Sequence, residues 1–192
     1  MTNKNKAHLS NDHRIQREAV NRMQSESTDD FSPRLPKEEF DLRISKAKEL
    51  LVNHRMDAMV LFAEENKYYY SGCRDTVLMF TNRYRYCIII SQEHEPVLVG
   101  DFFLISQIME STWIRDVRSW SGIKSYQRPN RFVDAFIDTI ISLALGNKFI
   151  GMEYGPHHIL QFNIDEIREI ERSLPNAIFV SADKLLWEQK MI

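Results

Sequence analysis

The sequence predicts an α/β fold, a mixed β-sheet with helices on both faces. Three observations predict it. From residue 36 onward, short β-branched apolar runs alternate with longer amphipathic stretches. Near the middle, the polar stretch Gln92–Pro96 reads as a hairpin loop, which brings antiparallel pairing into an otherwise helix-linked sheet. The 192 residues are 43% hydrophobic, enough for a sizeable core, and 27% charged.

Residues 1–36 hold six Lys/Arg, five Asp/Glu and only nine apolar residues. Such a stretch cannot offset its ordering entropy, so a mobile N-terminal tail with a transient helix over 12–24 is expected. Pro36 suits a first helical turn, and Glu38, Glu39 and Asp41 suit its positive end. Phe40, Ile44, Ala47 and Leu51 then mark one buried helical face, ending near Asn53–Arg55. Asp57–Phe62 reads as a buried strand, and Glu64–Gly72 as a short helix stopped by Gly72. Val77–Phe80 and Tyr84–Ser91 read as strands, the second rich in β-branched residues, and the hairpin loop leads into Val97–Val99.

A helix over Phe102–Glu110, a strand over Ile114–Val117 and a loop over Ser119–Pro129 follow. Asn130 is expected to cap a helix with the face Phe132, Phe136, Ile140 and Leu143, ended by Gly146. Lys148–Met152 is a strand. Pro156 opens a helix through Ile164, Ile167 and Ile170 to Leu174. Pro175 and Asn176 turn into a strand over Ala177–Val180, and Asp183–Lys190 is helical.

Composition narrows the function. A net charge of −2 gives no general basic field, so nucleic acid is not an expected partner. Two cysteines cannot make a disulfide scaffold. No apolar run reaches the roughly 18–20 residues that span a bilayer. The first residues lack the apolar core of a signal peptide, and the expected location is cytoplasmic.

Little chemistry is visible in the residues themselves. A phosphate loop needs closely spaced glycines after a strand, whereas Ala63-Glu-Glu-Asn66 offers two carboxylates. His157 and His158 are adjacent, so on a helix they diverge, although Glu153 and Asp165 lie near them; a helix start is the simpler reading. Ser71-Gly72 lacks a nucleophile elbow, and Cys73 has no nearby base. Glu64/Glu65 and Asp165/Glu166 fit solvated helix ends. One segment gathers Tyr68–Tyr70, Met79, Phe80, Arg83, Tyr84, Arg85 and Tyr86. Aromatics interleaved with arginines suit an anionic or zwitterionic small ligand, and equally an amphipathic edge hairpin with its arginines in water. Both readings stay open on the residues.

The segments Arg43–Asn53, Asp57–Phe62, Asn66-Lys67-Tyr68-Tyr69-Tyr70-Ser71-Gly72, Lys148–Glu153 with its Gly-x-Glu ending, and Ala182–Leu186 occur in a familiar order. Together, over about residues 37–190, they resemble the N-terminal domain of the creatinase/prolidase/aminopeptidase P family of pita-bread metalloenzymes. Asn66, Tyr69, Ser71 and Gly72 match that family's motif, and Lys67 departs from its usual aliphatic. The resemblance implies a tail over 1–36, the domain over 37–182, and over 183–192 the start of a linker helix to a catalytic domain absent from this chain. It implies no catalytic residue, metal ligand or cofactor here. Two divalent metal ions are expected in the absent domain, held by two Asp, one His and two Glu.

The implied role is dimerisation, or pairing with a full-length relative, and gating of a small substrate. Tyr69, Phe80, Arg83 and Arg85 are the gating candidates. The run Thr81-Asn82-Arg83-Tyr84-Arg85 is also similar to dimethylsulfoniopropionate lyases. The substrate class therefore stays open between a proline peptide and another small molecule. The alternative is a stand-alone pseudoenzyme, or a small-ligand-binding or interaction domain.

Overall fold

The computed structural model describes residues 35–73, 85–121, 129–155 and 160–190. Their elements run α1 (Lys37–Asn53), β1 (Ala58–Leu61), α2 (Glu64–Ser71), β2 (Cys87–Ser91), β3 (Val97–Asp101), α3 (Ile105–Ser111), β4 (Asp116–Trp120), α4 (Phe132–Ser142), β5 (Phe149–Met152), α5 (Ile164–Ser173), β6 (Ile178–Ser181) and α6 (Asp183–Lys190). The predicted strand Val77–Phe80 lies outside the described residues.

The six strands form one mixed sheet in the order β4-β3-β2-β1-β5-β6. β1 pairs antiparallel with β2, and β2 with β3; the β1–β5, β3–β4 and β5–β6 pairs are parallel. Side chains alternate strictly across it. Ala58, Val60, Phe62, Cys87, Ile89, Val97 and Val99 enter one core with α4 and Ile170 of α5. Met59, Leu61, Ile88, Ile90 and Leu98 enter the other, with Ile44, Ala47, Leu51, Ile108, Leu185 and Leu186 from α1, α3 and α6. Helices thus cover both faces. Because β1, β2 and β3 are buried on both faces, they are continuously apolar over most of their length.

Four boundaries differ from the sequence reading, each for a local reason. The helix expected from Pro156 begins at Ile164. Asn163 accepts hydrogen bonds from Asp165 N and Glu166 N, Glu166 Oε2 accepts one from Asn163 N, and this capping box fixes the start. Just before it, Phe162 turns into the core against Phe62, Phe132 and Phe136. Asn130 does not cap α4; Arg131 holds that position without a side-chain bond, and α4 ends at Ser142, where Ala144 turns left-handed at φ 56°. The Phe102–Glu110 helix starts at Ile105, because Asp101 Oδ1 accepts from Phe103 N and folds a turn first. Finally, Ser119 lies in a strand, since β4 pairs along the whole of β3 through Asp101↔Trp120.

Candidate functional site

The parallel pair β1–β5, in register at Val60↔Met152, brings the residues just beyond both strands level with one another. There Glu153, fully buried, meets the start of α2. Its Oε2 accepts from Phe62 N at 2.5 Å and Ala63 N at 2.7 Å, and its Oε1 accepts from Asn66 Nδ2. A carboxylate against the positive end of a helix is electrostatically favoured. Glu153 was considered beside His157 and His158 as a metal ligand. It is bound instead to the backbone leading into α2 and to the Asn66 side chain, and both histidines lie outside the described residues.

One turn further along α2, Lys67 is fully buried. Its Nζ donates to Glu64 Oε1 at 2.6 Å and sits 3.3 Å from the centroid of the Tyr86 ring. Tyr86 Oη donates to Glu64 Oε2 at 2.8 Å, so one carboxylate bridges the ammonium and the phenol. Burial lowers the Lys67 pKa, with the Glu64 charge and hydrogen bond opposing. Burial, together with Cys73 and Glu64, raises that of Tyr86 well above the ordinary phenol value. Glu64, expected on a solvated helix end, therefore serves as the bridge between α2 and the start of β2.

Arg85 lies on the other face. Its Nη1 donates to Glu166 Oε2 at 2.6 Å and to Gln161 O at 2.9 Å, and its guanidinium lies 5.2 Å from the Phe132 ring centroid. Trp120 Nε1 donates to Arg85 O. Burial acts to raise the Glu166 pKa, but the hydrogen bonds from Arg85 and Asn163 N and the charges of Arg85 and Arg131 outweigh it and hold the carboxyl below its usual value. Glu166 is thus a buried ion-pair partner as well as part of a helix cap.

Tyr69 lies under Arg43 of α1, whose guanidinium is 4.2 Å from the ring centroid and whose Nη1 donates to Tyr69 O at 2.8 Å. Tyr69 packs on the α1 face of the sheet and Arg85 on the Phe132 face. The two described gating candidates are therefore not brought together. Phe80 and Arg83 lie outside the described residues. Sequence reasoning names Glu153 and Lys67 but assigns neither its buried bonding role. The Glu64–Lys67 spacing of one helical turn was the signal for the second. Nothing local signals the first.

These residues do not fit a two-metal centre. Glu153 spends its oxygens on three donors, and no group of three His, Cys, Asp or Glu among the described residues could hold a metal ion. No helix among them is long and apolar enough to cross a membrane.

A family model described as the creatinase/prolidase N-terminal domain matches residues 43–192. No curated protein sequence matches the chain. Among solved structures, the chain is similar to the aminopeptidase P of Streptococcus thermophilus (TM-score 0.56, 12% identity, covering 79% of this chain and 98% of that one). It is similar to the prolidase of Pyrococcus horikoshii (TM-score 0.55, 18% identity, 79% of this chain), of which it spans only 35%. It is similar also to the N-terminal domain of the cytoplasmic peptidase PepQ of Mycobacterium tuberculosis (TM-score 0.55, 17% identity, 78% of this chain and 98% of that one).

Proposed function

The chain belongs to the creatinase/prolidase N-terminal domain family, and from that premise we propose that it is the non-catalytic half of a Xaa-Pro aminopeptidase- or prolidase-type metallohydrolase. In this reading the metal-dependent hydrolysis belongs to a separate C-terminal domain. This domain contributes pairing between copies and shapes access to the neighbouring metal site. Phe80 would exclude water and Arg83 would pair with a substrate carboxylate. Tyr69 and Arg85 would act from the flanks, each held by its own partner, Arg43 or Glu166.

The observation that supports this best is how the buried charges are used. Glu153 serves α2, Lys67 serves Glu64, and Arg85 serves Glu166. The interior is built to hold a shape, which is the task of a positioning domain.

The test has two arms. The purified 192-residue chain, equilibrated with Mn2+, Co2+ or Zn2+ and assayed on Xaa-Pro dipeptides, is expected to neither retain stoichiometric metal nor cleave; turnover refutes the proposal. In a polypeptide joining this domain to a metal domain, Arg83→Ala should raise KM roughly tenfold with metal content unchanged. Unchanged kinetics would dismiss the gating role.

A further inference from the structure

The two edges of the sheet differ in kind. β4 is lined by charge: Arg118 pairs with Asp116 at 3.0 Å, and Arg115 adjoins them. β6, the opposite edge, runs Ala177-Ile-Phe-Val-Ser-Ala182 with no charge, no proline and no strand beyond it among the described residues. A neutral edge without proline is a template for another strand. Ile178 N and Ala182 N donate inward to Lys148 O and Met152 O, both at 2.9 Å. By alternation the N–H and C=O groups of Phe179 and Ser181 point outward, away from β5.

Exposed apolar side chains gather at the same margin. Ile178 is 48% exposed, and its register partner Phe149 is 45% exposed.

We propose that β6 is the edge through which two copies of this chain pair, antiparallel about a two-fold axis at Val180. That axis is selected by the donors. It sets Phe179 opposite Ser181 of the second copy, so each pair exchanges two hydrogen bonds and no outward group on either strand is left over. An axis at Phe179 would call on Ala177, whose N–H is already given to Leu174 O. A neutral strand meets its own copy without opposing like charges. Two four-residue strands cover too little for a stable dimer, which needs roughly 1,000 Å² or more. The exposed Ile178 and Phe149 must add to them, and the pairing should be weak and concentration-dependent.

This inference rests on the pairing role proposed above, and the experiment separates the two. Sedimentation equilibrium of the 192-residue chain over a wide concentration range is expected to show reversible dimers. Ile178→Glu and, independently, Ser181→Pro, which removes an outward donor, should each weaken the dimer about tenfold or more. Arg118→Ala on β4 should leave it unchanged, and circular dichroism confirms that each variant is folded. A monomeric wild type overturns the pairing role and this edge together. A dimer that survives both folded β6 variants, or that Arg118→Ala disrupts, overturns the edge alone.

Discussion

Lys67→Met should stabilise the protein, while Glu64→Ala should damage it severely. The asymmetry follows from exposure. Lys67 is completely buried, whereas the Glu64 side chain keeps 34% of its surface. Without Lys67, the Glu64 carboxylate still accepts from Tyr86 Oη at 2.8 Å and still reaches water. A methionine of similar length then packs on the Tyr86 ring with no desolvation cost, while the Glu64 charge left behind stays in contact with water. Without Glu64, the ammonium keeps only the Tyr86 ring and a long 3.5 Å contact to Tyr86 O. Stranding one partner of a buried pair costs about 3–5 kcal/mol.

The sign with pH agrees. Because burial pulls the Lys67 pKa below its ordinary value of 10.5, the folded protein loses this proton before the unfolded chain does. In the window between the lowered value and about 10.5 the unfolded state holds more protons, so stability rises with pH. Urea denaturation of wild type, both single variants and the double variant, at neutral pH and again near pH 9.5, measures all of this. The double variant should recover most of the Glu64→Ala loss, and Lys67→Met should flatten the alkaline rise. A Lys67→Met protein destabilised by more than about 2 kcal/mol would refute the reasoning, and so would a Glu64→Ala protein within about 1 kcal/mol of wild type.

Glu153→Ala strands the buried donors Phe62 N, Ala63 N and Asn66 Nδ2, and should cost about 3–5 kcal/mol by chemical denaturation. Glu166, held below its usual pKa by Arg85 and Asn163 N against the effect of burial, contributes stability that is present above its unfolded value and lost as pH falls through the folded one. Acid unfolding monitored by circular dichroism should therefore shift to higher pH in Arg85→Ala. Gly155→Ala places a Cβ about 2.7 Å from Asp183 Cγ and should lower stability by roughly 1–3 kcal/mol. Asp183→Ala in the same chain should restore most of it, as a thermal melt would show.

The parts of the fold legible in the sequence are those in which one periodicity serves one environment. β1, β2 and β3 are buried on both faces, so Ala58–Leu61 and Cys87–Ser91 appear as unbroken runs. α1 packs one stripe from Phe40 to Leu51, and Gly72 at φ 71° stops α2 where a helix-ending glycine should. β4 was harder. As an edge strand it alternates Asp116, Val117, Arg118 and Ser119, and Ser119 imitates a loop. At α5 the correct signal, Asn163 with Glu166 three residues on, was present, but Pro156 drew the boundary eight residues too early. The candidate site was less legible because its bonds are long-range. Glu153 meets Asn66 across 87 residues, and Arg85 meets Glu166 across 81. Residue type cannot reveal such a meeting before the sheet order is known.

The sheet order also settles what the carboxyl ends of the parallel strands can receive. β1, β5 and β6 end at one edge, and α2 and α6 begin there. In α/β folds this edge, with its helix N-termini, commonly accepts phosphates and other anions. Here the chain supplies its own anions. Glu153 holds the two backbone N–H groups that lead into α2, Phe62 N and Ala63 N, and Asp183 stands in the first turn of α6, pressed against Gly155. A phosphate entering at α2 would have to expel a fully buried carboxylate and replace each of its bonds to Phe62, Ala63 and Asn66. The gain from one charge against one helix end, about 1 kcal/mol or less, falls short of that loss. The part of an α/β sheet that most often binds ligands is therefore spent on joining β1, β5 and α2.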